Sequence, residues 1–211
     1  MREASHTSST ASGTITAKAL TISAATDSKI YDGNNNSSGI VAVSGVVGTD
    51  TVTGAIQSFA SKNVMGSNGS TLQVNSGYTI NDGNSGNNYS VSTSTATGTI
   101  SQAALTVTAN ADAKFVTQAD ATGYNGVSYT GFVSGESASN LTTLPTISRS
   151  NSSTQNADSY TGVLVPTGGS ATNYALSYVN GNYTIVPAGQ LLVRLANTST
   201  VYGSAPTYTV T

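Results

Sequence analysis

Hydrophobic and polar residues alternate in short bursts along this chain, and almost nowhere recur at the spacing of a helix. Tyr174, Leu176 and Tyr178 alternate with Ala175, Ser177 and Val179, and Tyr183 and Ile185 flank Thr184. A period of two puts every second side chain on the same face of a strand. Asn180-Gly181 stands between these runs, a pair that tolerates the positive φ angles of a tight turn, so the pattern predicts a closing hairpin. Leu72/Val74 and Tyr78/Ile80, divided by Asn75-Ser76-Gly77, read the same way. The runs are rich in Thr, Val, Ile and Tyr, which suit a pleated, half-buried surface. Residues 136–141, entered through Ser134-Gly135, leave room for one helical turn, and a plain loop fits them equally well.

The runs repeat. Gly13-Thr14-Ile15 recurs as Gly98-Thr99-Ile100 (98 − 13 = 85), and Tyr183-Thr184-Ile185 takes that place again (185 − 100 = 85). Asn88-Tyr89-Ser90-Val91 returns as Asn173-Tyr174-Ala175-Leu176, again at 85. Leu20-Thr21-Ile22 matches Leu105-Thr106-Val107, and Asp27-Ser28-Lys29 matches Asp112-Ala113-Lys114. Several short matches in one order at one spacing define a tandem array. Its phase predicts modules at residues 20–103 and 104–187. Residues 1–19 then form a leader ending in the last strand of a preceding repeat, and residues 188–211 the truncated start of a third.

Composition narrows the function classes. Charged residues are 8% of the 211, with a net charge of −2, against roughly 25% in an average soluble domain. There is no basic patch of the kind phosphate requires, so nucleic acid is not an expected partner. No apolar run approaches the roughly 20 residues of a helical membrane span, and Met1-Arg2-Glu3 opens a Ser/Thr run without the apolar core of a signal peptide. With no cysteine, stability must come from packing, repeat stacking or bound ions rather than disulfides.

Three groups of residues carry a family resemblance. Lys29-Ile30-Tyr31-Asp32-Gly33, residues 44–50, Ala60-Ser61-Lys62-Asn63-Val64 and Asn87-Asn88-Tyr89 resemble the YDG-type repeat of large bacterial surface proteins. Residues 129–136, Asp158-Ser159-Tyr160-Thr161-Gly162 and Asn173-Tyr174 with Tyr183-Thr184-Ile185 are similar to the related MBG-type repeat. Residues 201–208 resemble the opening of one more. The second module departs from the pattern: Phe115-Val116-Thr117 stands where Tyr-Asp/Gly is expected, with Tyr124-Asn125-Gly126 displaced. The resemblance implies tandem extracellular modules of filamentous-haemagglutinin-like adhesins, often exported by a dedicated outer-membrane partner, with no enzymatic activity.

The conspicuous motifs read mostly as architecture. Tyr31-Asp32-Gly33 is either a sugar-recognition loop or a turn with Gly at positive φ and Tyr packed inward; the turn is favoured because Asp-Gly is chiefly a turn signal. Residues 81–88 are oxygen-rich, but calcium prefers six to eight oxygens with several carboxylates, and this loop offers only Asp82. Asp27 and Asp112, with Lys29 and Lys114 two residues on, are expected as exposed pairs worth about 0–1 kcal/mol rather than as calcium ligands at the junctions. A Lys–Asn isopeptide crosslink at these lysines needs a buried carboxylate beside it, and acidic residues are few. Tyr89, Tyr174, Tyr178 and Tyr183 are expected to supply core rings.

The only histidine is His6, outside the repeats, so a Ser-His-Asp arrangement within a module is excluded. Nothing in the spacing of Asp32, Asp50 and Asp82 selects a glycosidase-like pair. No catalytic, cofactor-binding or metal-ligating residue is therefore assigned. The expected fold is mainly β: tandem small antiparallel modules, sandwich-like or β-grasp-like, in an elongated array. The expected role is a non-catalytic stalk segment of a bacterial outer-surface adhesin, monomeric in isolation. Its partners are then the neighbouring repeats of its own chain. The alternatives are a lectin-like module binding extracellular polysaccharide, host glycan or matrix, and, remotely, a polysaccharide hydrolase.

Overall fold

A computed structural model describes residues 10–190 and 205–206. Among them the chain is mainly β, with a lone 3-10 turn at Ala138–Asn140, as expected of tandem small β modules. His6 and most of the expected third module lie outside the described residues; residues 188–190 and 205–206 carry no strand. The described residues form two compact units, one made of those up to Ile30 with Asn34–Ser101, the other of Tyr31–Gly33 with those from Gln102 onward.

The first unit opens with β1 (Lys18–Ser23) and β2 (Asp27–Ile30) and closes with β8 (Tyr89–Ser94) and β9 (Ala96–Ser101). β1 runs parallel to β8 from Lys18↔Tyr89 to Ser23↔Ser94, and β2 runs parallel to β9 from Asp27↔Gly98 to Ile30↔Ser101. Parallel neighbours need a long crossover rather than a tight turn, and the body of the module supplies it. Within that body, β3 (Ala42–Ser44) completes the sheet β3-β1-β8. β5 (Gln57–Phe59) and β6 (Ser70–Val74) complete β2-β9-β6-β5, and β4 (Thr51–Thr53) pairs with β7 (Thr79–Asn81). Leu20, Ile22, Phe59, Leu72 and Ile100 are buried, each contributing about 1.5–3 kcal/mol relative to exposure. A side chain at Gly98 would meet Leu72 Cδ1 and Phe59 Cε1 at 2.8 Å, so glycine makes the room that Phe59 fills.

The second unit repeats this plan with β10 (Ala103–Ala109), β11 (Asp112–Phe115), β12 (Val127–Thr130), β13 (Thr143–Arg149), β14 (Asp158–Ser170), β15 (Tyr174–Val179) and β16 (Gly181–Val186). Its sheets are β12-β10-β15 and β11-β16-β14-β13, again with first and last strands parallel. Ala109, Leu164, Tyr183 and Ile185 form the buried cluster, against which Tyr124, Ile147, Tyr160 and Val163 pack. Tyr183 takes the position that Gly98 holds in the first unit, so a ring on the last strand replaces the ring of Phe59.

Several expectations are corrected. The closing hairpin does not form: β15 and β16 are consecutive but lie in different sheets. Asn180-Gly181 is a crossing point, where a Cβ on Gly181 would stand 2.4 Å from the Ala109 carbonyl oxygen. Leu72/Val74 likewise fall in β6 and Ile80 in β7, with Tyr78 just ahead of that strand, and β6 and β7 pair with other strands and not with each other. Gly13-Thr14-Ile15 is not a strand; residues 10–17 have no regular structure and Ile15 is fully exposed. Its counterpart in β9 is held between β2 and β6, which precede it in the chain. Tyr178 is 41% exposed rather than inward, its hydroxyl donating to the Gly168 carbonyl.

Candidate functional site

The two units carry the same small constellation of tyrosine and carboxylate, built by the same local structure. In the second, β12 is followed by Gly131, whose φ of +116° brings its α-carbon against β10: a Cβ there would lie 2.4 Å from the Ala104 carbonyl oxygen. The chain then turns, with Glu136 N–H donating to Val133 O at 3.0 Å. This turn aims Glu136 at Tyr174 on the last parallel strand. Tyr174 Oη donates to Glu136 Oε2 and accepts from Val133 N–H at 3.1 Å. The first unit matches part for part. Gly45 (φ +98°) would place a Cβ 2.4 Å from Ala19 O, and Asp50 N–H donates to Val47 O at 3.1 Å. Tyr89 Oη donates to Asp50 Oδ2 at 2.6 Å and accepts from Val47 N–H at 2.9 Å.

What lies over each constellation differs. In the second unit, Tyr31 Oη donates to Glu136 Oε1 at 2.5 Å, and its ring meets Tyr174 edge-on at 5.6 Å. Phe132 adds a second edge contact to Tyr174 at 5.3 Å. Tyr31 is 3% exposed, as the inward-packed turn reading expects, and Gly33 takes φ +81°. Burial, and then the hydrogen bond and charge of Glu136, push both the Tyr31 and Tyr174 phenols up to about 12. In the first unit the Asp50 bond, then burial, raises the Tyr89 phenol. There the constellation opens on a cavity of about 540 Å³, whose lining includes Ile15, Lys18, Val47, Asp50, Asn88 and Tyr89.

A second cluster lies inside the second unit. Lys114 Nζ and Arg149 Nε reach the two Asp120 oxygens at 2.8 and 2.9 Å, while Lys114 also donates to Gln155 Oε1. Arg149 donates further to Thr154 O and Ser152 O, and its guanidinium lies 4.8 Å from the Tyr183 ring centroid. Burial works against the Asp120 carboxylate, but the hydrogen bonds and charges of Lys114 and Arg149 outweigh it and hold its pKa below the ordinary value. The expected exposed pair at Asp112 and Lys114 is corrected: both are buried, at 7% and 4%, and the Lys114 ion pair is with Asp120. A Lys114–Asp120 amide needs a neutral amine and a protonated acid, and Arg149 opposes the second.

The remaining candidate residues are engaged in holding turns. Asp27 accepts from Ser37 Oγ, Ser38 N–H and Gly39 N–H, and Lys29 donates to Asn34 and Asn36, so the expected simple surface pair is replaced by a closed loop. Asp82 accepts from the amides of Asn84, Gly86 and Asn88, which lower its pKa. Those are the oxygens that a calcium reading of residues 81–88 would need. Among the described residues no group of three or more His, Cys, Asp or Glu is placed to hold a metal. The sequence pattern did not align Asp50 with Glu136, because they stand 136 − 50 = 86 residues apart, one off the period. Asp120 was hidden where the second module departs from the pattern.

These features define tandem β repeat modules whose acidic residues serve turns and cores. Residues 16–98 match the family model of the YDG domain, and residues 105–184 match that of the MBG domain of the YGX type. Neither a curated protein nor a solved structure matches the chain.

Proposed function

We propose that this chain is a non-catalytic spacer of a secreted bacterial surface adhesin, its modules at residues 20–103 and 104–187 holding a distal binding region away from the outer cell surface. The observation that carries this reading is the succession of a YDG and an MBG domain, repeat modules of the adhesin type. The side-chain chemistry agrees: Asp27, Asp50, Asp82, Asp120 and Glu136 each accept hydrogen bonds within their own unit. A general acid or nucleophile must instead present its carboxyl to a substrate. Small-angle X-ray scattering on the chain, with and without chelator, tests the reading. An elongated particle indifferent to chelator is expected; a compact particle would sink the spacer, and loosening by chelator would restore calcium at the junctions.

The lectin-like reading has one observation in its favour, the open cavity beside Tyr89 and Asn88. A sugar-binding aromatic presents its ring face, whereas Tyr89 is only 7% exposed. Titration with a polysaccharide panel is accordingly expected to show no saturable binding.

A further inference from the structure

The open cavity of the first unit corresponds to a place that is filled in the second. The correspondence is fixed by pairing: Thr21↔Ser44 and Ile22↔Val43 in one unit match Thr106↔Thr130 and Val107↔Tyr129 in the other. It carries on through the positive-φ glycines Gly45 and Gly131 to Val47 and Val133, then to Asp50 and Glu136. The last strands match through Asn88-Tyr89 and Asn173-Tyr174. In the second unit, Glu136 binds Tyr174 through Oε2 and Tyr31 through Oε1, and Asn173 also hydrogen-bonds the Tyr31 hydroxyl. Gly33 stands beside Val133, with its Cβ position 3.7 Å from Val133 Cγ1.

In the first unit each receiving residue has its counterpart, with the Asn88 amide bonded to Asn84 and to the Asp82 carbonyl. Asp50 binds Tyr89 through Oδ2, and among the described residues no donor reaches Oδ1. Asn88 lines the cavity, and Val47 is 53% exposed where Val133 is half-buried. Val46, 38% exposed, stands where the second unit has the larger Phe132. Lys18 takes the place of Ala103 and puts a positive charge on the lining. A carboxylate oxygen, an amide and an apolar wall are what a phenol requires, and the ammonium complements an acid following it.

We infer that the cavity bounded by Asp50, Asn88, Tyr89 and Val47 is a socket for a tyrosine on a Tyr-Asp-Gly turn of a further module of the same kind. The phenol donates to Asp50 Oδ1 and sits edge-on to Tyr89, and the glycine of the turn lies against Val47. The aspartate of the turn faces Lys18. The inference deepens the spacer reading, resting on it for the identity of the partner. Scattering reads that shape and a single amide reads this socket, so the two fail separately.

The test is amide hydrogen exchange at Val47, whose N–H is bonded to Tyr89 Oη. Duplicating residues 17–101 ahead of Ala17 in the full chain places a Tyr31 copy as far before Tyr89 as Tyr31 stands before Tyr174 (174 − 31 = 143). The expected result is Val47 exchange slowed about tenfold, as in a newly covered site, and returned to its original rate by Tyr31→Ala in the added copy. Tyr31→Phe in that copy, which keeps the ring, is expected to recover part of the rate. In the unextended chain, Tyr31→Ala should speed Val133 exchange by a similar factor. Unchanged Val47 exchange in the extended chain overturns the inference. So does slowing that survives Tyr31→Ala, or an unaltered Val133 rate in the control. Protection of Val47 by a saccharide but not by the added module overturns it in favour of a glycan site.

Discussion

Arg149 and Lys114 approach Asp120 from two strands of one sheet, and both cations are almost wholly buried. Such a cluster is weak evidence of net stabilisation, because desolvating the charges offsets much of their attraction. Removing one member is another matter, since the others stay behind uncompensated. Asp120→Ala is therefore expected to destabilise the second unit by about 3–5 kcal/mol, read from urea denaturation of the full chain. Asp158→Ala is the comparison: this exposed carboxylate bonds the adjacent Ser159 amide, and its loss should cost within about 0.5 kcal/mol. A cost below about 1 kcal/mol at Asp120 would mean that water screens the cluster as it does a surface pair. In the first unit the same lysine position is answered differently, with Lys29 Nζ 5.7 Å from the Phe59 ring centroid.

At the scale of elements, the decisive residues are glycines at which two backbones meet. Gly131 joins positive φ to a 2.4 Å approach between its Cβ position and Ala104 O, whereas Gly126 has φ +69° with open space around it. Alanine at Gly126 should cost about 1 kcal/mol, the price of the left-handed conformation. Alanine at Gly131 adds a backbone collision that no side-chain rotation relieves, so a cost more than twice as large is expected from the same denaturation series. Equal costs would show that β12 and β10 separate easily. These elements were only half legible beforehand. Alternation in residues 174–179 and 183–185 marked strands because Tyr174 in the first and Tyr183 and Ile185 in the second face inward, and the 85-residue period marked two modules. Partner choice was not legible, because Asn180-Gly181 satisfies a hairpin pattern while also allowing the close approach to Ala109 that the structure uses. The parallel pairing of first and last strands joins residues about 70 apart (Lys18 and Tyr89), beyond any local pattern. The constellation was readable as to its tyrosines and missed as to its acids, since the one-residue shift before Glu136 breaks the repeat that would have aligned it with Asp50.

Over the whole molecule, few ionisable groups carry the pH dependence: seven Lys and Arg, nine Asp and Glu, eleven Tyr, and the single His6. Their folded-state shifts act at opposite ends of the pH scale. Asp27 and Asp120 have lowered pKa values, burial being outweighed by Ser37 and backbone amides at the first and by Lys114 and Arg149 at the second. Stability from such groups is present above the unfolded carboxylate value, about 4, and is lost as pH falls through the lower folded value. Tyr31 and Tyr174 are displaced the other way, to about 12, by burial and Glu136, and Tyr183 is raised by burial and then the Asp120 charge. A raised phenol contributes stability below its unfolded value of about 10, lost as pH climbs through the folded one. The expected profile is a plateau from roughly pH 5 to 9 with falls on both sides. Asp120→Ala should flatten the acid fall, and Tyr31→Phe with Tyr174→Phe the alkaline one. Urea midpoints across pH 2.5–11.5 check this, and a step of about 1 kcal/mol between pH 6 and 7 would contradict it, because that is where histidine titrates and the described units contain none.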